Sequence, residues 1–165
     1  MTDARSSGRV AAIDYGTVRL GIAVSDPART LASPYENYTR RGPEEDARRM
    51  QRLAAEEGIV LLVVGLPVHL DGRESEKSRE AREFGQWLAQ VTGVSVEFFD
   101  ERFTTSEAEG LLLGAGMTRQ RRRKRRDMLA AQILLAAYLE CRGRGSQPPG
   151  PLDDPPGGCL DAATR

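Results

Sequence analysis

Three acidic positions, far apart in the chain, carry the side chains best suited to hydrolytic chemistry: Asp14, the pair Asp100-Glu101, and Asp127. Asp14 stands immediately before Tyr15-Gly16-Thr17, and Asp100-Glu101 is followed by Arg102. His69 is the sole histidine, so a Ser-His-Asp triad could use no other and a multi-histidine metal site cannot be built. Cys141 and Cys159 are widely spaced and form no CxxC, which supports neither a cysteine zinc site nor a disulfide scaffold. Hydrolysis by this chain must therefore fall chiefly to carboxylates.

The elements that would position them follow from periodicity. Val10 to Tyr15 and Leu20 to Asp26 are short apolar stretches separated by Gly16-Thr17-Val18-Arg19, the pattern of a hairpin, and a third extended stretch spans about Leu31 to Thr39. Pro43 to Glu57 has a proline start, early acids and apolar residues at helical spacing. Ile59 to Val64 is continuously apolar, as in a parallel strand covered on both faces. A helix over about Ser75 to Val91, a strand Val94 to Phe99 and a helix over Thr104 to Leu113 follow. The basic stretch Met117 to Arg126 is expected to connect to a last, substantially buried helix over Asp127 to Glu140. This order predicts an α/β domain with a mixed five-stranded sheet, an antiparallel meander joined to parallel βαβ units and flanked by helices. In such sheets ligands sit at the carboxyl ends of the parallel strands, where Asp14 and Asp100-Glu101 lie.

Each acid also has a plainer use. Asp14 could bond its own turn, and Asp127 at a helix start would cap backbone amides. Gly16 would permit positive φ and leave room for a phosphate. Simple alternation puts Asp100 on the face of Val94, Val96 and Phe98 and Glu101 opposite, but it often breaks at a strand end. One of the two carboxylates is expected to pair with Arg102, and periodicity leaves open which. Ala130 and Ala131, three and four residues after Asp127, would let that face approach the sheet closely.

Charge is balanced in total, 24 basic against 24 acidic residues, yet Arg119, Arg121, Arg122, Arg123, Lys124, Arg125 and Arg126 crowd one short stretch. Such polarity suits a polyanion, and nucleic acid is the leading partner. The longest uncharged apolar run, Gly58 to Leu70, is too short to cross a bilayer, and no secretory signal is seen at the amino terminus, so a cytoplasmic protein without a membrane partner is expected. Aromatic residues are only 5%, which argues against stacking as the means of reading bases. Domain limits are expected at residues 1–8 for a disordered start, 9–141 for the folded domain and 142–165 for a disordered Pro/Gly-rich tail.

Four blocks together, Ile13-Asp14-Tyr15-Gly16-Thr17 with Gly21, Val64-Gly65-Leu66-Pro67 with Asp71-Gly72, Asp100-Glu101-Arg102-Phe103-Thr104-Thr105, and Asp127 with Ala130-Ala131, resemble the YqgF/RuvX family from about Val10 to Glu140. His69 and Arg126 depart from the family pattern without touching the acidic positions. The resemblance implies a ribonuclease H-like, Holliday-junction-resolvase-like fold and a nuclease that matures the 5′ end of pre-16S rRNA in ribosome biogenesis. It also implies that Asp14, Glu101 and Asp127 form the catalytic and metal-binding triad. Hard oxygen ligands suit Mg²⁺ or Mn²⁺, whose charge would offset that of the phosphate. Gly16, Thr17, Gly65, Asp71 and Gly72 would form the substrate loops, while Arg102 and the basic run would hold the nucleic-acid backbone. Two further readings use the same residues: a resolvase of four-way DNA, which would favour a homodimer over a monomer, and a non-catalytic RNA-binding factor of the pre-ribosomal particle. A sugar-kinase or actin-like ATPase, suggested by Asp-Tyr-Gly-Thr alone, would require a second phosphate-loop domain that this length does not supply.

Overall fold

The computed structural model describes residues 8–67, 75–103 and 118–143. A single sheet organises them. Strands β1 (Arg9–Asp14), β2 (Arg19–Ser25) and β3 (Ala32–Thr39) form the meander, followed by helix α1 (Pro43–Glu57), strand β4 (Ile59–Leu66), helix α2 (Glu76–Thr92) and strand β5 (Ser95–Asp100). A 3₁₀ turn over Glu101–Phe103 leaves β5, and helix α3 runs Arg119–Gly143. The sheet order is β3-β2-β1-β4-β5. β1 pairs antiparallel with β2 and parallel with β4, and β4 pairs parallel with β5. The carboxyl ends of β1, β4 and β5 therefore share one edge.

Both faces of the sheet are covered, which explains the near-continuous apolar runs of β1 and β4. Ala11, Ile13, Leu62 and Val64 face one way and pack with Met50 and Leu53 of α1 and with Phe84 and Leu88 of α2. Val10, Ala12, Val63 and Phe99 face the other way and pack with Ala131, Leu134, Leu135 and Tyr138 of α3. Each buried side chain of this size contributes roughly 1.5–3 kcal/mol. Helix α2 starts where Ser75 accepts a hydrogen bond from the Ser78 amide, a side-chain cap for an otherwise unpaired donor.

The last helix departs from expectation. It begins at Arg119, not Asp127, so the basic residues occupy its first turns and Asp127 lies inside it. Arginine and lysine are strong helix formers, and no proline or glycine interrupts the stretch from Arg119 to Arg142. A capping role for Asp127 is thereby removed; the Thr118 hydroxyl accepts from the Arg121 amide instead, at 3.4 Å. The fold also reaches past residue 141, because Arg142 bonds Glu97 of β5 at 2.7 Å and the Tyr138 hydroxyl at 2.8 Å. The expected helix over Thr104 to Leu113, residues 1–7 and the remaining tail lie outside the described residues.

Candidate nuclease site

Asp14 closes β1 and Glu101 is the first residue beyond β5, so β4 lies between them in the sheet. They nevertheless meet: a side-chain hydrogen bond links Glu101 to Asp14. The contact depends on Gly65 in the intervening strand. A Cβ at that position would stand 2.7 Å from Glu101 Oε1 and 3.1 Å from Leu134 Cδ2, so the Glu101 carboxylate would have to move aside. Glycine at 65 is what lets Glu101 lie across the end of β4.

The strand end that periodicity left open is divided between its two acids. Asp100, almost fully buried, accepts from the Arg102 amide at 2.9 Å and from Arg102 Nε and Nη2 at 2.9 and 2.6 Å. Glu101 takes the side toward Asp14. Arg102, expected on the nucleic-acid backbone, is thus held on Asp100.

Electrostatics at this corner are unfavourable to negative charge. Burial pushes the Glu101 carboxyl above its ordinary value and the neighbouring Asp100 charge adds to that, while the Asp14 hydrogen bond and Lys77 act in the opposite direction. The two carboxyl groups face each other, an oxygen donor set where a cation could stand. Oxygen donors of this kind fit a hard divalent ion. Among the described residues no third acidic, histidine or cysteine side chain completes the cluster.

These residues floor a cavity of about 350 Å³, lined by Asp14, Tyr15, Gly16, Thr17, Gly65, Pro67, Lys77, Glu80, Ala81 and Glu101. Gly16, Thr17 and Gly65 are thus brought to one place, whereas Asp71 and Gly72 lie outside the described residues. Gly16 is required for a different reason from the one expected: it has no positive φ, and a Cβ there would stand 2.4 Å from the Arg19 carbonyl oxygen. Lys77 and Glu80 were not anticipated. They share a face of α2 with Ala81 at i, i+3 and i+4, a spacing present in the sequence but read only for its apolar members. On α3, helical spacing puts position 127 on the face of Ala131 and Leu134, the latter beside Gly65; the Asp127 side chain itself lies outside the described residues. Arg119, Arg121, Arg125 and Arg126 are exposed along the start of α3, and the side chains of Arg122, Arg123 and Lys124 are not among those described.

A mixed sheet of this order, β3-β2-β1-β4-β5 with helices on both faces, is the ribonuclease H-like fold. The fold is that of Thermus thermophilus RuvC in complex with a Holliday junction, TM-score 0.52 at 15% identity over 81% of this chain and 95% of that one. The Fowlpox virus resolvase in complex with junction DNA aligns with TM-score 0.50 at 10% identity, over 80% and 97% of the two chains. The family model described as RuvX, Holliday junction resolvase, matches residues 8–141, and the chain belongs to that family. A Rhodopirellula baltica protein named "Putative pre-16S rRNA nuclease" is 48% identical over 141 residues, 85% of this chain and 82% of the relative. One of the same name from Koribacter versatilis is 37% identical over 142 residues, 86% and 93% of the two. Both relatives are named as nucleases.

Proposed function

We propose that the protein is a divalent-metal-dependent nuclease of the cytoplasm that hydrolyses phosphodiester bonds in the 5′ maturation of pre-16S rRNA. The observation that carries this reading is the meeting of Asp14 and Glu101 across Gly65 on the floor of an open cavity. The names of the relatives supply the RNA.

Asp14 and Glu101 would hold Mg²⁺ or Mn²⁺, with Asp127 as the third ligand contributed by α3. When bound, the ion would offset phosphate charge and make a coordinated water acidic enough to act as nucleophile. The protein's own contribution is placement. Gly65 leaves room for Glu101 beside Asp14, Gly16 lets the turn after β1 close on the Arg19 carbonyl, and Lys77 adds a positive charge on the α2 wall. The basic turns of α3 would bind the backbone without reading sequence, an interaction that weakens steeply with salt.

The test compares wild type with Asp14→Asn on a pre-16S 5′-leader RNA and on a labelled four-way DNA junction, each with Mg²⁺, Mn²⁺ or EDTA, with binding recorded beside cleavage. The proposal expects RNA cleavage that needs metal and disappears in the variant while binding remains. Paired cuts in the junction without RNA cleavage would make it a resolvase. Tight RNA binding with no metal-dependent cut would leave a non-catalytic assembly factor.

A further inference from the structure

A second groove, of about 250 Å³, opens beside the carboxylate cavity and shares Tyr15 and Glu80 with it. Although aromatic residues are scarce, the fold gathers three of them here. Phe84 lies 4.9 Å from the Tyr15 ring and 5.6 Å from that of Trp87, centroid to centroid. Arg40 reaches over Tyr15 and Phe84, 5.6 Å from each ring centre. Its Nε donates to the fully buried Asp46 at 3.0 Å, so most of its charge is already matched. At the rim stand Glu80, half-buried, and Glu83, exposed.

This combination suits one part of a nucleotide. Two carboxylates beside a neutralised arginine repel a phosphate, whereas a planar base gains from the aromatic surface and offers N–H donors to carboxylate acceptors. Continuity through Tyr15 and Glu80 makes the groove the next station for a strand whose phosphate lies over Asp14 and Glu101. We infer that the groove lined by Tyr15 and Trp87, with the buried Phe84 ring packed beneath them, receives an unpaired nucleobase adjoining the scissile phosphate, with Glu80 and Glu83 accepting hydrogen bonds from its edge. The inference rests on the nuclease reading of the neighbouring cavity and adds to it a preference for single-stranded substrate at the cut.

Trp87 is the chain's only tryptophan, so its fluorescence reads the groove in the unmodified full-length protein. A pre-16S 5′-leader oligonucleotide, added in EDTA at low salt, should quench Trp87 in step with binding followed by the anisotropy of an end label. An abasic ribose moved along that oligonucleotide should relieve the quenching at one position. With Mg²⁺ present, Trp87→Leu should raise KM about tenfold with kcat within about twofold, the size of effect expected from losing one stacked base. Glu83→Gln, at an exposed helix position, should raise KM by a smaller factor without disturbing the fold. Binding that leaves Trp87 emission unchanged, or an unchanged KM in Glu83→Gln together with quenching insensitive to abasic sites, overturns the subsite, while wild-type cleavage still upholds the nuclease. Quenching and abasic sensitivity in a wild type that cuts nothing upholds the groove and removes the nuclease reading. Failure of the wild type to bind the oligonucleotide overturns the subsite outright.

Discussion

Asp46 and Glu101 are both withdrawn from water, and the protein treats them in opposite ways. Asp46, fully buried in α1, accepts from the Tyr38 hydroxyl at 2.9 Å, from Arg40 Nε at 3.0 Å and from the Arg41 amide at 2.9 Å. Burial alone would raise its pKa, but those three donors outweigh burial and hold the carboxyl below the usual range. Burial and the same carboxylate push Tyr38 up to about 12. Glu101 has another acid where Asp46 has an arginine, and burial together with the Asp100 charge pushes it above its ordinary value. The first arrangement ties β3 to α1 and leaves nothing for a ligand to supply. The second is an electrostatic deficit that a cation would fill, the pattern by which strained ionisation marks a working site.

The widest separation between the two regions should come from Asp14→Asn. Cleavage is expected to fall by more than about a hundredfold, beyond the 10–100-fold typical of residues one shell removed from a metal, with little change in melting temperature. Asp46→Ala should do the reverse. Leaving Arg40 and Tyr38 without their acceptor should cost about 3 kcal/mol in a denaturant titration, with kcat per folded molecule unchanged within about twofold. Loss of activity in the folded fraction of Asp46→Ala would break the contrast. Gly65→Ala should come next, since the new methyl group collides with Glu101 Oε1. Activity should drop about tenfold or more, by displacement of a group the chemistry needs within a fraction of an ångström.

Acid stability gives a smaller effect with a defined sign. Because the folded pKa of Asp46 is depressed, its contribution is complete above the ordinary carboxylate pKa and is lost as pH falls through the folded value. Denaturation of wild type between about pH 6 and pH 3 should therefore show a loss of stability that Asp46→Asn flattens. Equal slopes in the two proteins would show that Asp46 titrates alike folded and unfolded.

Much of the fold was legible because its signals were local. Short apolar stretches parted by Gly16-Thr17-Val18-Arg19 marked the hairpin of the meander, the unbroken apolar run of β4 announced a strand covered on both faces, and Pro43 with its acids marked the start of α1. The onset of α3 was hidden because a dense run of arginines reads as a solvated connection, although each favours helix. At the site, Asp14 and Glu101 were visible as acids at strand ends, but their contact depends on a missing Cβ in a third strand, which no periodicity records. The division of labour between Asp100 and Glu101 likewise needed the Arg102 side chain in place. The aromatic groove escaped composition altogether, since a low total says nothing about where the few rings gather.

Glu101→Gln tests the central claim in one protein with two readings. Removing a charge that burial and Asp100 disfavour should raise stability in metal-free buffer by about 1 kcal/mol, while metal-dependent cleavage of the pre-16S leader falls more than about a hundredfold. A variant that melts higher and cuts nothing is the predicted result. Cleavage at the wild-type rate by Glu101→Gln would contradict the assignment of this corner as the site of hydrolysis.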